Sequence, residues 1–163
     1  MPTHVYQPTR NPARWYDRLL VHPFDNAIGV LCFLFGALMV AALASGGSYN
    51  PSSSMMRLPA HIGFVVSACL TVGGWLSLLG LHWTGETVSR GWHIERFGWL
   101  FVTAGLAGYG IAVAFHFPGA TSSWMVPLGL AAAALLRFLS LILIERNTRT
   151  TLAAVREESR GTE

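Results

Sequence analysis

Lysine is absent from this 163-residue chain, and all eleven basic residues are arginine. That bias is read as the mark of GC-rich coding. Charge of either sign is scarce. Asp, Glu, Lys and Arg make up 12% of the chain, against roughly a quarter in a soluble domain. With 52% hydrophobic residues, the deficit excludes an ordinary water-soluble globule, and the length suits one bundle rather than two domains. Only two cysteines occur, Cys32 and Cys69, both inside apolar runs. On the topology below they lie about 9 and 18 Å from the same membrane edge, an offset beyond disulfide reach, so two free, inert thiols are expected. Motifs for chemistry are missing as well: there is no Gly-rich phosphate loop, no HExxH, no CxxC, and no Ser-His-Asp set in a plausible pocket. No catalytic, cofactor-binding or metal-ligating residues are therefore expected, and the chain is not expected to be an enzyme. Carboxylates are absent from the interior of the apolar runs, since Asp25, Glu86, Glu95 and Glu145 fall at their edges. That argues against charge-coupled transport of the small multidrug-exporter kind. No cleavable signal is evident, because the first apolar run starts late and is long enough to span.

What the chain does have is long greasy runs. The most constraining is 123–144, SWMVPLGLAAAALLRFLSLILI. About 20 residues at 1.5 Å each cross the ~30 Å hydrocarbon core of a bilayer. Three more runs follow the same pattern, giving spans at about 26–45, 60–81, 97–116 and 123–144. The linkers SGGSYNPSSSMMRLP and Phe117-Pro118-Gly119 read as turns by their Gly, Ser, Asn and Pro content. The expected fold is all-α: a four-helix transmembrane bundle (26–144) preceded by an N-terminal amphipathic interfacial helix within 1–25 and followed by a polar tail, 145–163. In the first segment Asn11-Pro12 is a good helix start. Trp15, Tyr16, Leu19 and Leu20 then fall on one face, opposite Arg14, Asp17 and Arg18, as suits a helix lying in the headgroup layer. The competing reading is a soluble helix packed on a partner. Trp83 and Trp92 are expected as further interfacial anchors.

The arginines orient the bundle. Arg10, Arg14, Arg18, Arg90, Arg96, Arg146, Arg149, Arg156 and Arg160 fall on one side and Arg57 alone on the other. The positive-inside rule then places both termini in the cytoplasm. The net charge of +3 is explained by that asymmetry and carries no nucleic-acid signal.

Small residues recur at four-residue spacing: Ala37, Ala41 and Ser45; Gly73 and Ser77; Ala104, Gly108 and Ala112; Gly129 and Ala133. Such stripes let helix backbones approach closely in lipid. Packing within the chain is the default use, with some stripes left over for self-association.

Arg137 is the one charge deep in a run, its Cα about 12 Å inside the edge marked by Glu145. A charge near the membrane centre costs on the order of 2.5–3.5 kcal/mol on insertion scales. With no acidic residue at its depth, its expected partners are hydroxyls such as Thr103 and Ser77, carbonyls, water, or a lipid phosphate. Either it forms an anion site or polar lining with Thr103 and Ser77, or it snorkels structurally. His61 and His116 share the outer edge and could in principle bind haem or a metal, but no spacing motif supports this. Ile94-Glu95-Arg96 and Ile144-Glu145-Arg146 echo one another at the inner edge. Glu95 with Arg146, and Glu145 with Arg96, are expected to pair across a helix hairpin as register marks.

The stretches YQPTRNPARWYDRLLVHPFDN, LHWTGETVSRGWHIERFGW and LILIERNTR resemble those of small four-span membrane proteins of actinobacterial phages, some of them holins. The resemblance covers most of the chain but contains no catalytic motif, and it transfers no residue roles. It implies a protein that accumulates in the host cytoplasmic membrane, oligomerises and opens lesions that release or activate an endolysin. Many holins have fewer spans, and the RWYDRLL segment is more structure than a bare pore-former requires. The alternatives are an accessory or superinfection-exclusion protein bound to a second membrane protein, and a haem-binding subunit on His61 and His116. The expected partners are the lipid bilayer, further copies of the chain and, on the accessory reading, a second membrane protein.

Overall fold

A computed structural model describes residues 22–46, 59–83 and 88–160. Over these residues the chain is helical: α1 (Pro23–Ala44), α2 (Ala60–Leu81), α3 (Val88–His116) and α4 (Thr121–Arg160). Each is long and apolar enough to cross a membrane. The expected interfacial helix, with Trp15, Tyr16, Leu19 and Leu20, lies outside the described residues.

Local chemistry sets the ends. Pro23 opens α1, where its missing N–H is no loss. Gly46, with φ of 65°, takes the left-handed turn after Ser45 closes the helix. Between α3 and α4 the chain turns at Phe117–Ala120, where Ala120 N–H donates to the Phe117 carbonyl at 3.0 Å. One boundary, the start of α3, differs from the sequence reading by more than three residues, and the tail continues the fourth helix, as that reading allowed. Helix α3 begins nine residues before 97 and carries SRGWHIER inside it, while α4 runs on to Arg160. Polar residues there need not end a helix, because Glu95 and Arg96 find ionic partners on α4.

Each helix packs chiefly on its neighbours in the chain. The interior is built from Cys32 and Met39 of α1, Val66 and Leu70 of α2, Trp99, Val102 and Leu106 of α3, and Ala131, Ala134 and Leu141 of α4. Large apolar side chains such as Leu31, Phe64, Phe97, Ile111 and Leu136 point outward. A surface this greasy suits hydrocarbon and not water. Both cysteines are free.

Glycines set the closest approaches. A Cβ on Gly74 would sit 2.5 Å from Phe33 N of α1, and one on Gly73 2.7 Å from Val102 N of α3. Consecutive residues point about 100° apart around a helix, so this pair seats α2 against two neighbours at once. Gly36 lies equally close to Thr71 N. Of the expected small-residue stripes, Gly73, Ser77 and Ala112 are buried and Ala37 and Gly108 are half-buried. Ala41, Ser45, Ala104, Gly129 and Ala133 are exposed, which corrects their expected use in packing within the chain. The glycines Gly36, Gly74, Gly80 and Gly98 let backbones come closer than alanine does, and so they decide which faces turn inward.

Candidate functional site

The ion-paired residues of the described chain converge at one end of the bundle, where α1 begins and α4 leaves. Arg137 of α4 is central. Its Nη2 donates to Glu95 Oε1 of α3 at 2.9 Å and lies 3.1 Å from Asp25 Oδ2 of α1. Glu95 has no exposed surface. A carboxylate buried this completely requires a counter-charge, and Arg137 supplies it. Asp25 is also 3.5 Å from His22 Nδ1. One residue on, buried Asn26 donates through Nδ2 to the His22 carbonyl at 2.9 Å and accepts, at Oδ1, a bond from His82 Nε2 of α2 at 2.8 Å. Because the amide oxygen can only accept, His82 carries its proton on Nε2. Arg96 pairs with Glu145, which is itself nearly buried.

All four helices therefore contribute to one network. Two arginines face three carboxylates there, with His22 and His82 alongside.

This arrangement corrects the view that Arg137 lacks an acidic partner and that no carboxylate is embedded. Cα depth was the misleading quantity. Arg137 and Glu145 stand eight residues apart on α4, about 12 Å, yet the adjacent Glu95 and Arg96 reach one each. Long side chains close a gap that backbone positions leave open. The expected Arg96–Glu145 pair forms, but Glu95 pairs with Arg137 and not with Arg146, because Glu95 faces the interior while Arg146 is exposed. Thr103 and Ser77 do not accompany Arg137. Thr103 Oγ1 donates to the Trp99 carbonyl at 2.8 Å and Ser77 Oγ to that of Gly74 at 2.9 Å, each within its own helix. Asn26 and His82 were missed. The available signal for Asn26 was an amide at the very start of an apolar run, next to Asp25.

The other expected positions scatter. Trp83 and Trp92 are half-buried, Trp83 lying against Gly91. His61 and His116 are exposed, and His116 Nδ1 donates to the Ala112 carbonyl at 2.9 Å. Among the described residues no group of three or more His, Cys, Asp or Glu could hold a metal ion.

Clefts open along the described bundle. An apolar one of about 530 Å³ opens toward the far end of the bundle, lined by Leu31 and Phe35 of α1, Leu106 and Tyr109 of α3, and Val126 and Leu130 of α4. A second, of about 420 Å³, lies between α3 and α4 on His93, Arg96, Phe97, Leu100 and Phe138.

Four apolar helices packed as a bundle make this an integral membrane protein with four candidate spans. No protein-family model, curated protein or solved structure matches the chain.

Proposed function

We propose that the chain is a non-enzymatic membrane protein of the holin kind, whose copies associate within the cytoplasmic membrane of a phage host and permeabilise it. The observation that carries this reading is the set of small residues left facing lipid. Ala41, Ser45, Ala104, Gly129 and Ala133 are exposed, and a Cβ on Gly129 would meet nothing within 4 Å. Small residues on a lipid face allow two helices to approach closely, and packing within the chain draws largely on other glycines. In the single chain Arg137 is committed to Asp25 and Glu95, so a polar lining on this reading requires the charge network to rearrange when copies associate. Both termini are placed in the cytoplasm by the arginine asymmetry.

Induced expression is expected to stop growth and to collapse the membrane potential, followed with a potential-sensitive dye, once the protein has accumulated. Cells that keep their potential at high protein levels would overturn the proposal.

A second reading, an accessory or exclusion protein bound to another membrane protein, is favoured by the apolar cleft between α1 and α4. It predicts a stable hetero-complex in detergent and no toxicity.

A further inference from the structure

We infer that the cleft between α3 and α4 is a binding site for an anionic phospholipid, with the headgroup phosphate on Arg96 and His93 and an acyl chain along Phe97, Leu100 and Phe138. The cleft is graded in the way such a lipid is graded. His93 and Arg96 line its end nearer the start of α3, while Leu100 lies seven residues past His93, about 10 Å further along the axis. Phe97 and Leu100 are 60% and 43% exposed, so the groove opens outward to the bilayer, where a phospholipid is the neighbour.

The polar end is chemically suited to phosphate. Arg96 Nη2 lies 3.4 Å from His93 Nδ1. A guanidinium can only donate, so Nδ1 accepts and the imidazole proton sits on Nε2, which is left as a second donor. No carboxylate lines the cleft; Glu145 pairs with Arg96 from beside it. Arg90 and Arg146 are exposed at the same end of the bundle and add positive potential at headgroup depth. Basic pockets between spanning helices recognise anionic headgroups through this combination of charge and apolar wall.

The inference does not depend on permeabilisation, and its test does not measure it. The full chain, purified in detergent, is titrated with phosphatidylglycerol or phosphatidylcholine and the bound lipid is counted by native mass spectrometry. Phosphatidylglycerol is expected to bind more tightly, by about fivefold for each basic group engaged. His93→Gln with Arg96→Gln should abolish that preference. Leu100→Trp, which fills the apolar half, should reduce binding of both lipids. Glu145→Gln frees the guanidinium and should strengthen phosphatidylglycerol binding, an outcome that mere loss of structure cannot produce. Equal binding of the two lipids by the wild-type chain, an unchanged preference in the His93→Gln/Arg96→Gln variant, or displacement of the lipid by inorganic phosphate at millimolar concentration would overturn the assignment.

Discussion

At Glu95 a carboxylate with no exposed surface meets the Arg137 guanidinium at 2.9 Å, with Asp25 3.1 Å from the same nitrogen. Removing one side of a buried pair costs more than the pair contributes, because the remaining charge stays desolvated. Arg137→Leu is therefore expected to destabilise the bundle by about 3–5 kcal/mol, read from its unfolding in SDS or by heat in detergent. An arginine that only snorkelled would give a variant that inserts and unfolds like the parent. Coupling Arg137→Met to Glu95→Gln should restore a large part of the loss, since the fully buried carboxylate is then neutral and Asp25, the carboxylate that remains, keeps His22 at 3.5 Å. Thr103→Ala serves as the contrast. Its hydroxyl bonds only within α3, so the change should stay within about 0.5 kcal/mol.

Between elements, packing is decided by where backbone can approach backbone. Gly73 and Gly74 hold α3 and α1 on adjacent faces of α2. Gly74→Leu would drive side-chain atoms into Phe33 and is expected to cost about 1–3 kcal/mol or more, measured in the same unfolding assay. Gly129→Leu has open space around it and should leave single-chain stability unchanged. If the outward small residues mediate association, the same substitution should lower crosslinked oligomer in membranes and delay any loss of potential. Equal effects of both substitutions on unfolding would contradict the assignment of inward and outward faces.

For the whole molecule, the helices are joined most firmly at one end, where charges from α1, α3 and α4 meet, and an apolar cleft separates α1 from α4 toward the other. Beyond Asn147, the end of its apolar part, α4 continues for thirteen residues, a projection of about 20 Å. On the proposed orientation, with both termini in the cytoplasm, this end faces the inner side of the membrane. An epitope tag at the C-terminus is therefore expected to be shielded from an impermeant reagent in intact spheroplasts and labelled after lysis. Labelling of intact spheroplasts would reverse the orientation.

The four long apolar helices, the turn at Phe117–Ala120 and the free cysteines were legible in the sequence, because hydrophobic run length, turn chemistry and axial depth are properties of the chain alone. The Arg96–Glu145 pair was legible too, through the repeated Ile-Glu-Arg that marks both helices at one depth. Which face each helix turns inward was not: Gly36 and Gly74 prevail over Ala41 and Ala133 only when two backbones compete for one contact. Nor was the pairing of Arg137 with Asp25 and Glu95. Sequence distance measures how far apart two Cα atoms lie along helices, whereas an ion pair depends on where long side chains end, and only the packed bundle brings those ends together.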